Sequence, residues 1–393
     1  MGTATLDAQL FRVCTAQFVA SLTTQMSTPF FSFLLLERWN VRTSGLAALF
    51  SVANLANVAA LLGAPLWLGR TDARSQLIFA TTLRVMFGLF LTLGAMRARL
   101  DVLFLAQVAN GASQISLMSS CNWIIGRSEM ENHRRTAAVA TLQVSAVCGL
   151  ALGPPASVAL LRVLPRAELM GMLGVMLNAV GTWQLCGIDR VATAASMCER
   201  PPRDSVDIFV IAACTCGSAL AWESVMNAIL QTMYGLSVDA TFPYWTALSG
   251  AAVVGSLLAP NAVGVLAPGR LAWCMAALGA VGWGMLVGLG RDVPSQVQFG
   301  VALFSYNSMN FMLYSLNLMN VTRRYAPHAA YQLNWLMQIT CQLGRAVCNV
   351  LLSRILDGST TVHAAVGTSV AVGTAAHIVH IFTTREARQG RLL

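Results

Sequence analysis

Three charged side chains and a set of amides stand inside stretches otherwise built of aliphatic and aromatic residues. Their spacing is helical, since residues at i, i+3, i+4 and i+7 share one face of a helix. Gln17, Ser21, Thr24 and Thr28 form one such stripe; Gln107, Asn110 and Gln114 form a second. Glu223, Asn227 and Gln231 follow, then Asn307, Asn310, Tyr314 and Asn317, then Gln338, Gln342, Arg345 and Asn349. Amides and hydroxyls both donate and accept hydrogen bonds, so these faces suit recognition of a polar solute. Glu223 fits a proton-coupling or cation-binding carboxylate, or one half of an interhelical ion pair. Arg345 offers its planar fork to an anionic solute, to a carboxylate or to backbone carbonyls. Arg84 stands nearer the end of its stretch, where a long side chain can reach toward the headgroups.

The bland alternative is that Asn, Gln, Ser and Thr join helices by interhelical hydrogen bonds worth about 0.6 kcal/mol each. Four of the five stripes fall on stretches one, four, seven and ten, every third one, which such bonds do not require, and a shared water-accessible cavity explains the recurrence. The sequence contains no Walker loop, zincin helix or nucleophile elbow, and no His/Cys cluster at zinc spacing. No catalytic residue, no cofactor and no metal is therefore expected, and the chain is not read as an enzyme.

Elements of about 20 apolar residues, joined by short Arg-bearing loops, must carry these side chains, and that length crosses a hydrocarbon core of about 30 Å. Hydrophobic residues make up 56% of the 393 and charged residues 10%, too little polar surface for a water-soluble body of this size. The expected fold is all-α: twelve transmembrane helices in two pseudo-symmetric six-helix bundles. Spans are expected near 10–35, 44–68, 77–96, 102–125, 136–161, 168–188, 207–234, 242–266, 271–290, 297–320, 329–355 and 361–382. Residues 1–188 make the first bundle and 207–393 the second. Residues 189–206, with Pro201 and Pro202 among Glu199, Arg200, Arg203 and Asp204, make a cytoplasmic linker. The net charge of +9 is carried by Arg at segment ends, consistent with lipid headgroups and topology and not with nucleic acid. More Arg falls on the side of Arg70, Arg74, Arg134, Arg190 and Arg385 than on the other, which places both termini in the cytoplasm. His377 and His380 are expected on an outer last helix.

Gln143 to Gly149 and Gln338 to Gly344 repeat one Gln-to-Gly spacing at an offset of 195 residues, and His133 matches His328 at the same offset. Duplicated halves are the arrangement used for alternating access.

Gly149-Leu150-Ala151-Leu152-Gly153-Pro154 resembles the Gly-x-x-x-Gly-Pro motif of the major facilitator superfamily. The loop Gly69-Arg70-Thr71-Asp72-Ala73-Arg74 resembles that family's gating loop; Arg74 takes its basic position and Arg70 replaces the usual Asp. Gln107-Val108-Ala109-Asn110-Gly111 stands where many members carry Arg-x-x-x-Gly. Arg134-Arg135-Thr136 and Leu343-Gly344-Arg345 are similar to the lysosomal and vacuolar branch related to SPX-domain transporters. The resemblance implies a secondary transporter that moves a small polar solute by alternating access. Protons are a candidate coupling ion, the lipid bilayer is the surroundings, and the protein is expected to be a monomer. Gln17, Thr24, Asn110, Gln114, Asn227, Gln231, Asn307, Asn310, Tyr314, Gln338 and Gln342 are then expected to bind the solute. Glu223, Arg345 and Arg84 carry coupling or charge, and Arg74, Gly149, Gly153 and Pro154 gate or shape the helices. A channel of the same fold, or a membrane scaffold that no longer transports, are the alternatives.

Overall fold

A backbone in hydrocarbon must satisfy its own N–H and C=O groups, and a chain of apolar runs does so as helices. The computed structural model describes residues 3–68, 71–125, 130–163, 166–191, 205–265, 296–324, 327–358 and 362–389, with single positions at 270, 274 and 277. Among the described residues there are helices and no strands. They are α1 (Thr3–Ser32), α2 (Thr43–Leu68), α3 (Ala73–Arg97), α4 (Leu100–Ser113), α5 (Ile115–Ile125), α6 (Asn132–Val163) and α7 (Ala167–Leu185). They continue with α8 (Val206–Tyr234), α9 (Phe242–Val265), α10 (Gln296–Arg324), α11 (Pro327–Gly358) and α12 (Val362–Gln389); most of the expected linker, 189–206, lies outside the described residues. Each expected span is helical where it is described, and the ninth, 271–290, lies outside the described residues but for positions 274 and 277.

Two details depart from the expected elements. The first span ends in a π-helical turn, Phe33–Arg38, and the fourth is broken at Gln114 into α4 and α5. At the break the Gln114 N–H bonds the Gly111 carbonyl at 3.1 Å, a tightened 3₁₀-type turn.

Among the described residues, five helices are each long and apolar enough to cross a membrane: Leu6–Arg38, Thr43–Gly63, Ala73–Arg97, Ala137–Val163 and Phe242–Ala259. The chain is an integral, multi-pass membrane protein.

Two compact units form, one from Met1–Arg38 with Val52–Cys198, the other from Trp39–Ser51 with Glu199–Leu393. The first turns of α2 thus pack with the second unit. Asp357 accepts from the Ser44 N–H there at 2.9 Å, and Ser51 Oγ donates to the Ala346 carbonyl at 3.3 Å.

In the first unit α1 packs on α6 and α7, and α3 on α4, α5 and α7. A Cβ at Gly149 would meet the Phe18 carbonyl and the Ser21 Cβ (2.8 Å), and one at Gly153 would meet the Leu22 carbonyl (2.8 Å). The two glycines of the Gly-x-x-x-Gly-Pro segment thus let α6 lie directly against the α1 backbone. Pro154 and Pro155 both sit inside α6, which runs on through them.

The stretch after α7 straps one end of this unit together. Gln9 and Asp189 exchange hydrogen bonds of 2.9 and 3.1 Å, Trp123 Nε1 donates to the Asp189 carbonyl at 3.1 Å, and the Ala73 N–H donates to Val191 at 2.9 Å. Beneath lies an apolar layer of Val13, Ala73, Leu77, Trp123, Leu142 and Ile188.

In the second unit α8 takes the place of α1, packing on α10, α11 and α12, while α9 packs on α10. Ile211, Met309, Leu313, Leu316 and Ala376 fill the space between them.

Candidate functional site

The first unit buries a connected polar network around Arg84. Held on α3, Arg84 is 2% exposed. It is not extended toward a span end as its sequence position allowed. Its guanidinium crosses to α1, where it donates to the Ala20 carbonyl and to Thr24 Oγ1 (2.7 Å), and to α5, where it donates to Ser116 Oγ (3.0 Å). Ser116 donates onward to Gln17 Oε1 (3.2 Å), and Gln17 Nε2 reaches Ser21 Oγ (3.3 Å). Thr24 donates to Ala20 and to Asn110 Oδ1 (3.2 Å), and Asn110 Nδ2 donates to Gln107 Oε1 (3.0 Å).

Two stripes recognised by spacing, on α1 and α4, thus meet directly at Thr24 and Asn110, and a cation on a third helix donates to the same Thr24. Gln17, Thr24, Asn110 and Arg84 are brought together; Gln114 sits half-buried at the α4–α5 break beside them. Arg84 Nε, Gln107 Nε2 and Ser119 Oγ are buried without a hydrogen-bond partner.

The second unit carries its own polar chain. Asn310 Nδ2 approaches Ser218 Oγ at 3.5 Å, Ser218 pairs with the Tyr306 hydroxyl at 2.7 Å, and Tyr306 donates to the Ser369 carbonyl at 3.2 Å. These bonds tie α8, α10 and α12, and Gly373 on α12 leaves the room, since a Cβ there would collide with the Tyr306 hydroxyl. Gln338 Nε2 donates to the Tyr314 hydroxyl at 2.9 Å, joining α11 to α10. Asn227 accepts from Trp245 Nε1 at 3.0 Å, and Asn307 donates to its own helix at Leu303 (2.9 Å). Asn307 Oδ1, Asn310 Oδ1 and Asn227 Nδ2 are buried with no hydrogen-bond partner.

No family model and no curated protein matches the sequence. Solved structures do match its fold along nearly the whole chain. A bacterial homolog of the human lysosomal transporter Spinster superposes with a TM-score of 0.73 at 10% identity, covering 96% of this chain and 97% of that one. A D-xylose-proton symporter gives 0.73 at 12% identity with coverages of 96% and 97%. The nucleoside transporter NupG gives 0.66 at 13% identity, covering 96% and 98%. The chain has the major facilitator fold.

Within the major facilitator fold the remaining candidates fall as follows. Gln342 and Arg345 are half-buried on α11, and Gln231 is exposed at the C-terminal turn of α8, away from the buried part of its stripe. The Glu223 side chain lies outside the described residues, as does that of Gln143. Arg74 donates to the Cys186 carbonyl at 2.5 Å and so helps anchor the strap after α7. His377 and His380, expected on an outer helix, are buried at 5% and 8% exposure, because α12 packs against α8.

Ser116 was not singled out by spacing, although it bonds both Arg84 and Gln17. The signal was present in Ser113, Ser116, Ser119 and Ser120, a serine-rich turn after a polar stripe. Asn178 was missed for a similar reason; it bonds Thr23 at 3.0 Å and joins α7 to α1.

Proposed function

We propose that this protein is a secondary transporter that moves a small polar solute across a membrane by alternating access. The observation that carries the reading is the buried network of Gln17, Thr24, Arg84 and Asn110. A membrane protein that needed only helix glue gains nothing from burying a charge within its spans, where insertion at a helix centre costs about 2.5 to 3.5 kcal/mol. The neighbours of the same fold, a symporter and a nucleoside transporter among them, support it.

In this reading residues 1–188 and 207–393 are the two six-helix bundles, joined by a cytoplasmic linker at 189–206, and both termini are cytoplasmic. The protein works as a monomer. The solute contacts come from Gln17, Thr24, Asn110 and Gln114 in the first half and from Asn227, Asn307, Asn310, Tyr314, Gln338 and Gln342 in the second. Protons drive accumulation through Glu223, a reading supported by the D-xylose-proton symporter among the structures of this fold.

Uptake by purified protein in liposomes over a panel of solutes, with and without a pH gradient, tests this. Accumulation above equilibrium under the gradient is expected. Glu223→Gln is expected to abolish accumulation while leaving solute exchange intact. Accumulation by the variant at the wild-type level removes Glu223 from the mechanism, and no uptake of any solute under any gradient removes the carrier reading.

A further inference from the structure

Arg84 is a buried cation whose partners are all neutral. Of the five N–H groups of a guanidinium, three are taken by the Ala20 carbonyl, Thr24 and Ser116, and none of these brings a negative charge. Among the described residues no carboxylate lies within ion-pair distance of it. A buried charge of this kind is commonly compensated by a carboxylate, because removing one partner of a buried pair is costly. No described side chain supplies such a charge, and the guanidinium is hydrogen-bonded to α1 and α5.

Two further observations point the same way. The unpartnered polar atoms of the network include two N–H donors, the guanidinium Nε of Arg84 and the amide Nε2 of Gln107, and both lack an acceptor. The span that supplies Asn110 and Ser116 is discontinuous, broken at Gln114 between them. Transporters often place solute groups at interrupted membrane helices, and irregular backbone at membrane depth is tolerated where it is buried in protein or lines a water-filled cavity. A neutral sugar would supply acceptors without charge, and an ammonium group would add a second cation.

We propose that the solute carries an oxyanion, a carboxylate or a phosphate, which pairs with the Arg84 guanidinium in the first unit and accepts from Gln107. The proposal rests on the transporter reading above and narrows its substrate class. Thr24 and Ser116 act as positioning residues that aim the fork.

The test is thermal unfolding of the full-length protein in neutral detergent at constant ionic strength. Acetate and inorganic phosphate represent free solutes, dihexanoyl phosphatidate represents a lipid headgroup, and acetamide is the uncharged control. A ligand that binds only the folded state raises the midpoint in proportion to the logarithm of its excess over Kd. The expected result is a concentration-dependent rise with an oxyanion and none with acetamide. A rise with acetate or phosphate assigns a free solute, and a rise with phosphatidate alone assigns a headgroup. Arg84→Gln is expected to lose the rise, and Arg84→Lys to keep a smaller one.

A wild-type midpoint unmoved by all three oxyanions, or moved equally by acetamide, overturns the proposal. So does an Arg84→Gln midpoint that rises as much as the wild type's. Should Arg84→Gln fail to fold, Gln107→Leu is expected to weaken the oxyanion response at least tenfold, and an unchanged response overturns the assignment. Because this readout is binding alone, an oxyanion response without liposome uptake sinks the carrier reading and leaves the site standing. Uptake of a neutral solute that is unaffected by Arg84→Gln does the reverse.

Discussion

Thr24 has one oxygen and three demands on it. It accepts from Arg84 while donating toward Ala20 and Asn110, so it couples the cation on α3 to the amides of α4. Thr24→Val keeps the shape and removes the oxygen, leaving a buried guanidinium N–H and a buried amide oxygen each short of a partner. A loss of about 1 to 3 kcal/mol is expected, read as a lower thermal midpoint, with a fall in uptake. Outside the membrane, Asp72 shows a different kind of residue-level control. It caps α3, accepting from the Ser75 N–H at 2.9 Å and the Ser75 hydroxyl at 2.8 Å. Partial burial pushes its carboxyl up, but the Ser75 bonds and the Arg190 charge outweigh this and hold it below its ordinary value. A lowered value in the fold means a contribution present above the unfolded value of about 3.9 and lost as pH falls through the folded one. Asp72→Ala should therefore cost about 1 kcal/mol at pH 7, as for other N-caps. The gap between variant and wild type should close below about pH 4, and a gap independent of pH counts against the cap. The Arg84 partners were not legible in the sequence, because Ala20, Thr24 and Ser116 belong to helices that only the packed fold brings to α3.

Hydropathy made the elements themselves legible, and the span ends moved by a few residues where loops are short. It missed the break in the fourth span. Gln114 is neither Gly nor Pro, and nothing local marks a 3₁₀ turn there. The end of α3 holds a second local irregularity that only the backbone shows. Ala98 takes a left-handed conformation at φ 50°, and its N–H bonds the Gly94 carbonyl. A residue with a Cβ pays roughly 1 to 2 kcal/mol for that conformation, and glycine does not. Ala98→Gly should accordingly raise the unfolding midpoint, partly offset by the looser unfolded chain. A lowered midpoint shows that the Ala98 methyl makes contacts worth more than the strain.

At the scale of the whole molecule, the repeat seen as Gln143–Gly149 and Gln338–Gly344 extends to atoms in contact. The same 195-residue offset relates Gly149 to Gly344 and Phe18 to Ala213, and in each unit the glycine lies against the carbonyl of that partner. One turn further along, Gly153 faces Leu22 in the first unit, and Cys348 faces Gly217 in the second, again at that offset. The small residue has moved from one helix to the other while the close approach is kept. Such an exchange is what two copies of one packed helix pair show when selection acts on the distance between backbones and not on which chain position supplies the space. Gly149→Ala and Gly344→Ala should therefore destabilise to a similar extent, by about 1 to 3 kcal/mol each as for overpacked cores. Gly63, whose Cβ position meets nothing within 4 Å, is the control, and Gly63→Ala should be neutral or gain up to about 1 kcal/mol. The three midpoints measured side by side decide the matter: a large loss at Gly149 with none at Gly344 means that the second unit tolerates a wider helix pair and that the duplication is no longer structural.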